Sequence, residues 1–236
     1  MNSHADFTYS GAEELLAMEN MVNYNNHILG LLKKSKPDFE CVVDFGAGIG
    51  TFAKLIRPFS KEFTCVEIDK NQQAKLQKMQ FQVLDGLDKL PDNSQSLIYS
   101  INVLEHIEDD TAAATLIRDK LKPNGKLFLY VPAFNSIYSA MDTKVGHFRR
   151  YDKNSMQKLM QSAGLIIDEM YYADSLGYFA SLAFKYCGNK AGEPSVKQLK
   201  FYDRVIFPLS RVLDIGFSYF LGKNVVVVAS KGVEHE

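Results

Sequence analysis

Five short apolar runs alternate with helix-like stretches in the first half of this 236-residue chain, and that alternation restricts the fold more than any other feature. The runs cover residues 41–45, 63–68, 81–84, 96–101 and 126–131, while 51–58, 71–78 and 109–121 carry helical patterns. Strands alternating with helices bury their apolar faces as parallel βαβ units covered on both sides, which predicts a doubly wound α/β sheet. Upstream, residues 11–34 read as a helix (Leu15, Leu16, Met18, Met21, Val22, Ile28, Leu31, Leu32) that stops at Lys33-Lys34 before Pro37. Lys122-Pro123-Asn124-Gly125 is a turn signal that ends the helix before it. Downstream, the pattern predicts a helix at 153–163 closed by Gly164, a strand at 165–172 and a buried last strand from Asn224. Residues 174–187 and 196–221, rich in Phe and Tyr, are expected to form helices capping the sheet.

Composition narrows the function classes. A formal net charge of −1 does not suit a general nucleic-acid binder, which needs a surplus of Lys and Arg to neutralise phosphates. No stretch approaches the roughly 20 apolar residues that span a bilayer, which leaves only peripheral membrane contact open. The first residues lack the basic start and apolar core of a signal peptide. Cys41, Cys65 and Cys187 are far apart and odd in number, and the first two sit in strand-like runs, so buried free thiols and a cytoplasmic location are expected.

The most informative segment is Val43-Asp44-Phe45-Gly46-Ala47-Gly48-Ile49-Gly50, between the first strand and a helix. Glycines there let the backbone turn sharply and approach a ligand, and helix-start N–H groups attract negative charge. The loop alone leaves two ligands open, because Gly48, Gly50 and Ala53 also satisfy a dinucleotide fingerprint with Glu67 as its acidic residue. Its neighbours resemble class I S-adenosylmethionine-dependent methyltransferases. Asp44, Gly46, Gly48 and Gly50 match that family's first motif, and Glu67 matches the acid whose carboxylate accepts the ribose hydroxyls. Asp85 matches the position gripping the adenine amine, and Asn102-Val-Leu-Glu105-His106 matches the floor of the methyl-donor pocket in the small-molecule branch. The resemblance implies a mostly parallel seven-stranded, Rossmann-like sheet with a helical cap. It also implies S-adenosyl-L-methionine as cofactor and a small-molecule methyl acceptor. On this reading residues 1–236 form a single domain: 1–37 a helical cap, 38–135 the cofactor-binding core, 136–221 the acceptor-side insertion and helices, and 222–231 the last strand.

Transfer to a hydroxyl requires a base, and a histidine with a pKa near 6.5 is largely neutral at pH 7 and suits that task. His147 and His106 are the candidates, His147 the better one because it follows the fifth strand, where acceptor sites form. Gly146-His147-Phe148-Arg149-Arg150-Tyr151 resembles a bacterial subgroup of these enzymes, several associated with surface-polysaccharide or secondary-metabolite pathways. Arg149 and Arg150, with Tyr151, are candidates for holding an acceptor carboxylate or phosphate, or for anchoring the insertion. Tyr24-Asn25 is a candidate closure over the methionine end of the cofactor. Glu105-His106 with His147 resembles an E-x-x-E-H cation cluster whose first acid is here Asn102, a weaker ligand, so no metal is expected. Two further readings stay open. One is a nicotinamide-dependent short-chain reductase, which would need a helical Tyr-x-x-x-Lys pair such as Tyr186/Lys190 or Tyr219/Lys223. The other is a non-catalytic cofactor-binding subunit.

Overall fold

A computed structural model describes residues 18–35, 39–187 and 195–232. Its strands are β1 (Phe39–Phe45), β2 (Ser60–Val66), β3 (Gln82–Leu84), β4 (Gln95–Ile101), β5 (Leu121–Pro132), β6 (Leu165–Ala173) and β7 (Asn224–Lys231). They form one sheet in the order β3-β2-β1-β4-β5-β7-β6. β1 to β5 pair in parallel, and β7 lies antiparallel between β5 and β6. The helices are α1 (Val22–Ser35), α2 (Thr51–Ile56), α3 (Lys70–Lys78), α4 (Asp110–Lys120), α5 (Ala140–Val145), α6 (Lys153–Ser162), α7 (Ser175–Cys187), α8 (Val196–Phe201) and α9 (Phe207–Phe217). A π-helical turn, Tyr202–Ile206, joins α8 to α9.

Strand side chains alternate between two apolar layers, as the two-residue period of a strand requires. Val42, Leu97, Tyr99, Phe128, Tyr130, Val226 and Val228 pack with Tyr24, Ile28 and Leu32 of α1, Ile56 of α2 and Phe207 of α9. Val43, Ile98, Leu127, Leu129, Val225 and Val227 pack on the other side with Ala114 and Ile117 of α4 and Met156, Leu159 and Met160 of α6. Burial on both faces explains why these strands read as continuous apolar runs.

Four details differ from the sequence reading. The leading helix is broken at Asn20-Met21: Met18 and Glu19 are helical, α1 resumes at Val22, and residues 11–17 lie outside the described ones. Lys122 to Gly125 bulge from β5: pairing passes from Gln95–Leu121 to Leu97–Lys126, so four residues face Ser96 alone. Asn124 takes a left-handed φ of 60° there. The turn therefore interrupts β5 and does not precede it. Residues 153–173, assigned to the acceptor side, supply α6 and β6 to the main sheet. Cys65 is fully buried as expected, whereas Cys41 is only partly so.

Candidate functional site

The carboxyl ends of β1, β2, β3 and β4 bring the glycine loop, Glu67, Asp85 and Asn102 to one edge of the sheet. The chain order reverses between β1 and β4, which is where doubly wound sheets open a ligand crevice. Gly46 and Gly50 have φ of 82° and 81°, which strain any other residue. A Cβ on Gly46 would also collide with the Val103 side chain, so the loop after β4 packs directly on the bend. The N–H groups of Gly46 and Ala47 both donate to Val66 O. Glu67 is buried, and its carboxylate accepts the Gly48 N–H at 2.7 Å and the Asp69 N–H at 2.9 Å. A carboxylate has about four acceptor positions, so capacity remains for a ligand hydroxyl. Asp69 itself caps α3 through the Asn71 and Gln72 N–H groups.

Four further observations at this edge bear on an adenosyl ligand. Asp44 is buried, and its Oδ2 has no hydrogen-bond partner among the described residues. Burial pushes its carboxyl up to about 7, with the Glu67 charge adding to the shift and Tyr99 opposing it. Asp85 is exposed just beyond β3. Ile68, next to Glu67, is half exposed and offers an apolar surface. Asn102 holds a left-handed φ of 53° and donates its N–H to Tyr130 O, which fixes the loop after β4.

A second group lies on that loop. Glu105 is fully buried, and neither carboxylate oxygen has a hydrogen-bond partner among the described residues. Burial pushes its carboxyl up to about 8. The segment carrying His147 reaches it because the Tyr151 N–H donates to Pro132 O and the Phe148 N–H donates to Glu105 O. His147 Nδ1 lies 2.7 Å from Asp142 Oδ1. Burial would raise the Asp142 carboxyl, but hydrogen bonds from His147 and Arg150 hold it well below the usual carboxylate range. An ionised carboxylate only accepts, which assigns a proton to Nδ1, and Nε2 faces Glu105 Oε1 at 3.8 Å. The His106 ring meets His147 edge-on, with centroids 4.5 Å apart. Burial first, and His147 second, lower its pKa to about 4. Glu105, His106 and His147 each offer a ligand atom within 4.8 Å of the others, a grouping that can hold a metal ion.

A family model for a methyltransferase domain matches residues 19–169, more than half of the chain. The chain belongs to that family. Over 105 residues it is 35% identical to an uncharacterized protein of Methanocaldococcus jannaschii. That match covers 43% of this chain and 45% of the relative, so the chain spans just under half of the relative's length. Solved structures of similar fold include a S-adenosylmethionine-dependent methyltransferase from Archaeoglobus fulgidus, with TM-score 0.61 and 17% identity over 90% of this chain and 95% of that one. A chain from the Haloferax volcanii complex of the Trm112 methyltransferase activator has TM-score 0.66 and 15% identity, covering 98% and 100%. The [4+2]-cyclase SpnF has TM-score 0.60 and 16% identity, covering 88% and 81%. At such identities the likeness is one of fold, and the cyclase shows that the fold alone does not name a reaction. S-Adenosylmethionine is the cofactor that the family implies.

In this methyltransferase the candidate acceptor residues turn inward. Arg150 places Nε and Nη2 on Asp142 at 2.8 and 3.0 Å, and Nη1 on Ala133 O. Arg149 bonds Asp110 and Glu108 O, each at 2.6 Å. The Tyr151 hydroxyl faces Asp110 Oδ2 at 2.9 Å and Leu104 O at 3.2 Å. With these groups engaged, all three anchor the insertion, and neither the Arg149 nor the Arg150 fork is free for an acceptor. Tyr24 is a core residue whose hydroxyl accepts from Asn224, so it does not close over the cofactor edge. Tyr186 is exposed, Lys190 lies outside the described residues, and Tyr219 and Lys223 lie in a turn, so the reductase reading has no helical Tyr–Lys pair among the described residues. Asp142 went unnoticed in the sequence. The Ser139-x-x-Asp142 capping box that starts α5 was the available signal.

Proposed function

We propose that this methyltransferase carries a methyl group from S-adenosylmethionine to a hydroxyl, or an amine, of a small molecule such as a saccharide or secondary metabolite, with His147 as the base. The hydrogen-bonded Asp142–His147 pair carries this reading. Asp44, Gly46, Gly48, Gly50, Glu67, Asp85 and Asn102 would hold the cofactor, which supplies an electrophilic methyl carbon on a sulfonium. Glu67 would orient the ribose through its remaining acceptor capacity, and the glycine bend would admit the ligand against backbone. His147 accepts the acceptor's proton at Nε2 while Asp142 holds Nδ1–H and stabilises the imidazolium that forms. His106, neutral at pH 7, keeps the His147 ring tilted without adding charge. Arg150 fixes Asp142, and Arg149 and Tyr151 fix the segment.

Two variants separate the roles. Glu67→Ala is expected to weaken S-adenosylmethionine binding by about 1.5–3 kcal/mol in calorimetry. His147→Ala is expected to keep that affinity and slow labelled methyl transfer into fractionated small molecules about a hundredfold. Full transfer by His147→Ala would remove it as base. NADH binding in the same calorimeter would revive the reductase.

The Glu105–His106–His147 grouping favours a second reading, in which Nε2 ligates a divalent cation beside the acceptor. Asp142 then plays the orienting part that carboxylates play behind metal-bound histidines. Transfer abolished by a chelator and restored by Mg²⁺ or Zn²⁺ selects this reading, and indifference to the chelator selects the free base.

A further inference from the structure

The C-terminal helices turn apolar side chains outward. From Val196 to Phe217 the rod formed by α8, the π-helical turn and α9 buries only Asp203, Phe207 and Ser210. Val205, Leu209, Val212 and Ile215 are 43%, 55%, 65% and 88% exposed, with Phe201 and Phe220 exposed as well. Phe201, Val205 and Leu209 follow at steps of four, so they share one side of the rod. A helix that only covers a sheet would place polar residues there.

Positive charge borders this side. Lys197, Lys200, Arg204 and Arg211 are all exposed, the first three at helical steps of three and four. Residues 175–223 contain seven Lys or Arg against three Asp or Glu, within a chain of net charge −1. Two of those acids point inward. Asp203 accepts the Asn23 and Tyr24 N–H groups, and Asp214 accepts those of Asp174 and Ser175.

We propose that this face lies on an anionic lipid bilayer, with the apolar side chains at the headgroup–acyl boundary and the Lys and Arg fringe on lipid phosphates. An apolar helix face beside a basic stripe complements that surface on both counts. No described helix is long and apolar enough to cross a membrane, so the contact is peripheral. A second copy is a poorer match, because a two-fold axis would set this basic fringe close to its own image.

The test floats the full-length protein with vesicles of phosphatidylcholine, with and without phosphatidylglycerol. Binding is expected to rise at least about tenfold with phosphatidylglycerol and to fall in about 1 M salt. Leu209→Glu/Val212→Glu should abolish it while keeping helix content and S-adenosylmethionine affinity. Should that variant not fold, Arg204→Glu and Arg211→Glu give an independent reading, each lowering partition about fivefold or more. Equal binding to both vesicles, or variants that bind like wild type, would overturn the proposal. So would a dimer in analytical ultracentrifugation that vesicles leave intact and Leu209→Glu dissociates.

Discussion

His147 lies between two carboxylates of unlike character. Asp142, on the Nδ1 side, is held ionised by His147 and Arg150, while Glu105, 3.8 Å from Nε2, is buried without a hydrogen-bond partner among the described residues. Burial moves the Glu105 pKa from 4.5 to about 8. Between those values the folded protein keeps a proton that the unfolded chain releases, so this group's contribution to stability falls as pH rises. A glutamine has no proton to lose. Glu105→Gln is therefore expected to match wild type near pH 4.5 and to exceed it by about 2–4 kcal/mol at pH 8, in urea unfolding without added metal. A difference that does not change with pH would place Glu105 in a wetter or better-paired setting. His106 acts in the opposite direction. Its folded pKa, about 4, lies below the ordinary 6.5, so it costs stability as pH falls through that window. The two effects confine the ligand-free protein to a middle range of pH.

α1 owes its docking to a residue far along the chain. Its first turn leaves N–H groups unpaired, and the Asp203 carboxylate accepts those of Asn23 at 3.1 Å and Tyr24 at 2.9 Å. One side chain thus caps α1 and joins it to the α8–α9 rod. Asp203→Ala is expected to cost about 1–2 kcal/mol in thermal or urea unfolding and to raise amide exchange at the start of α1. An unchanged midpoint would show that Phe207 packing alone suffices. The same contact shows where a sequence stops being legible. β1, β4, β5 and β7 were readable because each is apolar on both faces, and α1 was readable from Ile28, Leu31 and Leu32 following Met21 and Val22. The glycine bend was readable because few residues adopt its φ values. By contrast, a guanidinium that is free and one that grips Asp142 have the same local sequence, so the inward turn of Arg149 and Arg150 emerged only with the fold. α5 is six residues long and too short to show a period. Asp142 consequently looked like any surface acid, although it sets the tautomer of His147.

At the scale of the molecule, the sheet depends on its last strand. β7 pairs along its length with β5 on one side and β6 on the other, from Lys126–Ser230 to Pro132–Asn224 and from Leu165–Lys231 to Ala173–Asn224. Val225 to Ala229 are buried and contribute to both apolar layers. Without β7, β5 has an open edge and β6 has no neighbour, so α6 and the insertion that carries His147 lose their support. These pairings join residues more than fifty positions apart and form only when the end of the chain is present, which makes them late in folding. Truncation after Gly222 is therefore expected to leave a chain with no cooperative thermal transition and no S-adenosylmethionine binding, although β1 to β4 and the whole glycine bend are retained. A truncated chain that melted cooperatively and bound the cofactor would show that the first four strands fold independently. In that case β5 to β7 would have to be regarded as a separate acceptor-side unit and not as part of one sheet.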